Sequence, residues 1–244
     1  MGFENLEPLD IYQGIFTLIF VIISILVGFR ILLKYFELNR KEIIAIGVAW
    51  LGISTAWWGN SFSFLMYVLV NSKLDLLTYI LIENAFMPIA LICWIYAFAY
   101  LGYPRIYKKI VIIFTIIGIL YEIFLISALI INPEIIGTLE GAFDSNYTII
   151  PDIFRIFALF TVCITGILFG KILLKSDDKV IKWKGIFLML GIITFVIAAI
   201  LDVILTLNPF ELVLVRGLLI LSSFEYYLGF FLSERLANLF IKKK

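Results

Sequence analysis

The segment 152–184, DIFRIFALFTVCITGILFGKILLKSDDKVIKWK, decides the architecture. From Ile153 to Gly170 the run is broken by one charged residue, Arg155, and then Lys171, Lys175, Lys179, Lys182 and Lys184 follow in quick succession. A hydrocarbon layer of roughly 30 Å is crossed by about 20 helical residues, because a helix satisfies its own backbone N–H and C=O groups in lipid. The run is long enough to cross, and the lysines mark the end that stays in the cytoplasm.

The same pattern repeats in both directions. Apolar spans are expected near 11–34, 43–71, 76–101, 109–132, 152–175, 184–207 and 210–233. Arg30, Lys34, Arg40 and Lys41 follow span 1, Arg105, Lys108 and Lys109 follow span 3, and Arg235 with Lys242, Lys243 and Lys244 follows span 7. With the lysines after span 5, these gather nearly all of the 19 Lys and Arg residues on one side. The opposite loops carry Glu4, Glu7, Asp10, Asp75, Glu134, Glu140, Asp144 and Glu211. A mean hydropathy of +1.11 excludes an ordinary soluble domain. The expectation is an all-α membrane protein: one seven-transmembrane helix bundle over 1–244, N-terminus outside and C-terminus cytoplasmic, multi-pass in the cell membrane. Span 1 is too long and its leading residues too acidic for a secretory signal.

Absences remove whole classes of chemistry. The chain has no histidine, which excludes Ser–His hydrolases, His-ligated metal centres and imidazole proton relays. Cys93 and Cys163 both lie inside spans, so neither predicts an outer disulfide or a metal site. No glycine-rich phosphate loop occurs. Span 7 contains no lysine for a retinal Schiff base, so no cofactor is expected despite the opsin-like helix count. Nothing points to nucleic acid.

Ionisable residues inside a span cost roughly 2.5–3.5 kcal/mol each, so each needs a reason. They are Glu83, Glu122, Arg155, Asp202, Arg216 and Glu225. At about 1.5 Å per residue, Glu83, Arg155, Asp202 and Arg216 fall in one layer of the outer leaflet. Asp202 and Arg216 flank the turn Leu207-Asn208-Pro209 at similar distances, so an antiparallel hairpin brings them level. Two readings of that pair stand: a clasp that locks spans 6 and 7 in register, or part of a binding site in which Arg216 and Arg155 meet a ligand and Glu83 and Asp202 orient them. Glu122 lies deeper and extends this cluster or bonds a neighbouring helix. Glu225, half a turn out of phase with Arg216, falls with Ser222, Ser223, Tyr226 and Tyr227 in an inner patch.

Span 2 places Trp57, Trp58 and Asn60 near mid-membrane, where Trp is otherwise uncommon, which predicts a polar or ligand-lined interior. Pro88 should interrupt span 3 just after Glu83. Residues 133–151 form a long outer connection, read as a lid or as disorder, with an N-x-T sequon at Asn146-Tyr147-Thr148. Gly166 and Gly170 make a GxxxG step for close helix approach within the bundle or to another subunit.

The stretch Glu83-Asn84-Ala85-Phe86-Met87-Pro88 running into Tyr96-Ala97-Phe98-Ala99-Tyr100 and Arg105, with the Trp-rich span 2 and the closing Glu234-Arg235, resembles the seven-transmembrane sensor region of prokaryotic membrane histidine kinases. The chain departs from that pattern in having no kinase domain before Lys244. The resemblance implies a sensor module that signals through a separate cytoplasmic or membrane partner. The leading functional expectation is therefore a receptor-like sensor, not an enzyme, binding a small polar or anionic ligand from the outer side. Its ligand-binding residues would be Glu83, Arg155, Asp202, Arg216, Trp57, Trp58, Asn60 and Glu122. Membrane lipids are the expected surroundings, and the basic loop 171–184 the expected docking point for a partner or anionic headgroups. An ion-coupled transporter or channel using the buried carboxylates is the alternative, and it requires a polar path reaching Glu225. A lipid-directed enzyme is a third class. Its only tight acidic pair on the cytoplasmic side is Asp177-Asp178, which reads more simply as a solvated turn.

Overall fold

A computed structural model describes residues 6–204 and 208–240. Glu4, Leu207 and Lys242 to Lys244, used above for charge and turn, lie outside the described residues. Among those described, seven helical spans are long and apolar enough to cross a membrane. They are α1 (Pro8–Leu38), α2 with α3 (Lys41–Ser54 and Trp58–Val70), α4 with α5 (Leu76–Asn84 and Met87–Gly102), α6 (Tyr107–Ile131), α7 (Ile149–Leu174), α8 (Lys179–Ile204) and α9 (Pro209–Phe231). A short α10 (Glu234–Phe240) follows.

Two spans are broken, and the breaks have local causes. In span 2 the turn Thr55–Trp57 tightens to a 3-10 helix, and Thr55 Oγ1 donates to Gly52 O at 2.7 Å. In span 3 the α-helix stops at Asn84 and restarts at Met87 with Pro88 in the first turn. Proline has no N–H to continue the preceding ladder, so a new helical start is the relaxed solution. The breaks face each other: Thr55 Oγ1 also reaches Glu83 O at 3.4 Å. A Cβ on Gly52 would stand 2.6 Å from Ala90 Cβ, so only glycine lets the two broken spans approach this closely.

Span 2 is the most buried of the seven and span 4 the least. Helix α6 turns Ile112, Ile116, Ile119, Ile123, Ile126 and Ile130 outward, an apolar face suited to lipid. The most extensive packing joins α8 to α9, and backbones meet closely there. A Cβ on Gly191 would meet Tyr226 N at 2.6 Å, and one on Gly229 would meet Leu188 Cα at 2.8 Å. The GxxxG step of span 5 is used inside the bundle, where Gly166 and Gly170 receive Ile192 and Met189 of α8.

The connection after span 4 is an ordered hairpin. Residues Gly137–Glu140 (β1) and Asp144–Tyr147 (β2) pair antiparallel, with Gly137 opposite Tyr147 and Glu140 opposite Asp144. Gly141 supplies the positive φ of 60° in the turn. The helical bundle holds as expected for the spans, and this small β-hairpin is added to it. Ile136 and Phe143 bury themselves against the bundle, and Phe143 packs edge-on against Phe64 and Tyr67. Two buried apolar anchors and a ladder of backbone bonds explain why this segment is ordered.

Candidate functional site

Beneath the hairpin lies a chamber of about 730 Å³. Its upper wall holds Glu140, Asp144, Asn146 and Tyr147 from the hairpin, with Gln13 from α1. Its sides carry Trp57, Asn60, Glu83, Arg155, Asp202 and Arg216. Lower down it is apolar, with Met87, Leu91, Val162 and Phe195. Beneath Phe195 sits an aromatic plug: Trp50 stacks on Tyr226 at 4.2 Å between centroids, and Trp94 lies 6.2 Å from Tyr226. All four rings are buried.

Two ion pairs lie in the walls. Arg216 Nη1 donates to Asp202 Oδ2 at 2.5 Å, and Arg216 Nε donates to Thr17 Oγ1 at 2.9 Å. Trp57 Nε1 donates to the same Asp202 oxygen at 2.8 Å. This network ties α1, span 2, α8 and α9 at one height. The side chain of Arg216 is only 4% exposed, whereas that of Asp202 is 16% exposed on the chamber side. A guanidinium so deeply placed needs its carboxylate, because an unpaired buried charge is far costlier than the pair.

The second pair is Arg155 with Glu83, at 3.4 Å from Nη2 to Oε2. Tyr147 completes it. Its hydroxyl donates to Glu83 Oε2 at 2.6 Å, and the Arg155 guanidinium lies 3.5 Å from the centre of its ring. That combines a charge-assisted hydrogen bond with a cation–π contact in one residue. Burial, reinforced by the Glu83 carboxylate, pushes the Tyr147 hydroxyl well above the ordinary tyrosine range. Asn84 braces the group: its Nδ2 donates to Ile80 O at 2.9 Å and to the Tyr147 hydroxyl at 3.3 Å, and its Oδ1 accepts from Tyr121 at 3.3 Å. Tyr121 in turn stacks on Phe154 with centroids 3.8 Å apart. The hairpin is fastened at two further points, Tyr79 donating to Phe143 O at 3.0 Å and Gln13 Nε2 to Asp144 Oδ2 at 3.0 Å.

Six of the eight expected site residues therefore border one chamber: Trp57, Asn60, Glu83, Arg155, Asp202 and Arg216. Trp58 does not. Adjacent helical residues point about 100° apart, so with Trp57 inward Trp58 turns away, donating to Ser54 Oγ at 3.2 Å beside Gly52 and Phe86. Glu122 is absent from the chamber for the same reason, since Tyr121 takes the inward direction on α6. Its Oε1 has no hydrogen-bond partner among the described residues. Glu225 is also outside the chamber, adjacent in sequence to Tyr226 of the aromatic plug and level with it on α9. Sequence reasoning missed Tyr147, Asn84, Tyr79, Thr17 and Gln13. Tyr147 was legible only as the middle of a sequon, although an aromatic flanked by Asn and Thr opposite a glycine turn is also a strand signal.

Comparison with known protein families, curated proteins and solved structures finds no match to this chain.

Proposed function

We propose that this protein is a receptor-like sensor of the cell membrane that binds a small polar ligand in the chamber beneath the hairpin. The hairpin and N-terminus face outward in this reading, and the basic loops face the cytoplasm. The single observation that carries it is the chamber itself: a volume within the roughly 300–1,000 Å³ of small-molecule sites, apolar below and furnished with a few fixed polar groups above. Its asymmetry supports binding over passage. The charged groups stop at the level of Asp202 and Arg216, and below them the path meets Phe195, Trp50, Trp94 and Tyr226 rather than a polar route to Glu225.

Occupancy would be felt by the bundle because the walls come from elements that are broken at the site. A ligand touching Trp57 and Glu83 presses on the 3-10 turn of span 2 and on the restart of span 3. Their continuations lead to the basic end, where the lysines of 171–184 are placed to meet a separate signalling partner or anionic lipid.

The test is a thermal-melt screen of purified protein against amino acids, organic amines and carboxylates, run beside Ala158→Trp. Ala158 lines the chamber and is only half-buried, so an indole fits there by occupying the ligand's space. A compound at about 100 times its Kd stabilises the folded state by about 2.7 kcal/mol. Stabilisation of the native protein but not of Ala158→Trp supports the reading. Concentrative flux of the same compound in proteoliposomes would support a carrier instead.

A further inference from the structure

The chamber has a chemical preference that its two arginines conceal. Five carboxylates line it, Glu83, Glu140, Asp144, Asp152 and Asp202, against the two guanidiniums of Arg155 and Arg216. Each guanidinium is already matched, Arg155 by Glu83 and Arg216 by Asp202. Among the described residues Glu140, Asp144 and Asp152 make no ion pair within 4 Å, although Asp152 shares the field of Arg155 one helical turn on. Among the described residues the Asp144 carboxylate is hydrogen-bonded by the neutral Gln13 amide and by the backbone N–H of Ser145. Among the described residues no lysine lines the chamber, and Lys73 stands over the ring of Phe143 at 5.5 Å.

A second observation points the same way without relying on charge. Asn60 is 4% exposed, lines the chamber, and its Oδ1 has no hydrogen-bond partner among the described residues. A buried acceptor without a donor is costly and is rare in native proteins, and a turn of the amide about its last torsion would present it to a donor carried by the occupant. The unpartnered donor of the site, Arg155 Nε, belongs to a guanidinium whose face is covered by Tyr147 and whose charge is met by Glu83. Aromatic and aliphatic walls at Trp57, Phe195, Leu91 and Val162 would hold the remainder of such a molecule.

We infer that the ligand of this chamber is an organic cation, a protonated amine carried on an apolar body, rather than an anion. With the Asn60 amide turned to present its oxygen, the ammonium would be met by Oδ1 and would lie within the net negative field of the chamber's carboxylates, its body toward Phe195 and Leu91. This rests on the reading of the chamber as a ligand site, and within the expectation of a small polar or anionic ligand it favours a polar, cationic one. A unit charge ~8 Å away in a medium of effective dielectric ~20 changes the affinity for an ion by roughly thirtyfold, and solvent at the exposed Glu140 and Asp144 screens this to several-fold, enough in sum to separate cation from anion.

The experiment uses three probes of one shape: 3-phenylpropylamine, 3-phenylpropionate and 3-phenylpropanol, each titrated against the full-length protein in neutral maltoside micelles at pH 7. Binding is read from the concentration dependence of the melting temperature. The amine should bind at least tenfold more tightly than the other two. Its affinity should fall several-fold in Glu140→Gln/Asp152→Asn and in Asn60→Leu, and Ala158→Trp should abolish it. Tighter binding of the propionate or the alcohol, lost in Ala158→Trp, would overturn the cation assignment while leaving the chamber as a site. Amine binding indifferent to both carboxylate replacement and Asn60→Leu would also overturn the assignment. Binding of none of the probes, or equal binding of all three to native protein and Ala158→Trp, would overturn the chamber reading and the inference with it.

Discussion

Neutralising Asp202 as Asp202→Asn should be among the most destabilising conservative changes in this protein. The substitution keeps an acceptor for Trp57 Nε1 but leaves Arg216 charged, 4% exposed and without its counter-ion. Removing one partner of a buried pair costs about 3–5 kcal/mol, and the partial exposure of Asp202 toward the chamber places this case near about 3 kcal/mol. In a chain of this length that lowers the melting temperature by about 6–12 °C. Arg216→Met strands the opposite charge and should cost a similar amount. The decisive variant is the double, Asp202→Asn/Arg216→Met, which removes both charges while the introduced amide still accepts from Trp57. It should lie well above the sum of the singles, with a coupling energy of at least about 2 kcal/mol. Melts of the four proteins in one detergent complete the cycle. If Asp202→Asn costs less than about 1 kcal/mol, or if the two changes simply add, the pair carries no structural load and the argument from burial fails.

Four further outcomes follow from the same geometry. Tyr147→Phe removes the donor to Glu83 Oε2 and should lower stability by about 1–3 kcal/mol, read as a melting shift. Because the Tyr147 hydroxyl is held above its ordinary value, its contribution is complete below pH ~10 and is lost as pH rises toward the folded-state value; the gap between native protein and Tyr147→Phe should therefore narrow in alkaline melts. Gly191→Ala places a methyl 2.6 Å from Tyr226 N and should cost about 1–3 kcal/mol, whereas Gly217→Ala, with nothing within 4 Å, should be neutral or stabilising by up to about 1 kcal/mol. Gly141→Ala forces an L residue to φ 60° at the hairpin turn and should cost about 1 kcal/mol, seen as faster hydrogen exchange of the hairpin amides.

The parts of this structure legible in the sequence are those governed by short-range rules. Span lengths follow from the thickness of hydrocarbon, and each observed span lies within a few residues of its expected place. The Asp202–Arg216 pair was legible because the two residues are only 14 apart in sequence and Asn208 caps α9 directly, accepting from Phe210 N and Glu211 N at 3.0 Å each. Glu83 with Arg155 could be placed in one layer but not paired, because the chain between them runs through all of span 4 and the hairpin. The hairpin itself was missed since its apolar anchors, Ile136 and Phe143, flank or interrupt the strands instead of alternating along them. Without it Tyr147 has no reason to approach Glu83. Trp57 and Trp58 were read together for composition, and only helical phase separates them.

Whether the chamber opens beneath the hairpin and holds a ligand can be read from the reactivity of a single thiol placed in it. Ala158→Cys, in a background with Cys93 and Cys163 replaced by serine, would be reconstituted in liposomes and exposed to a membrane-impermeant maleimide from the hairpin side. Labelling should be slow but complete, strongly retarded by saturating 3-phenylpropylamine and not by 3-phenylpropionate, while Ile156→Cys on the lipid-facing side stays unlabelled. A thiol at 158 that never reacts, or that reacts equally fast with the amine present, would contradict a chamber that opens beneath the hairpin and holds a ligand there.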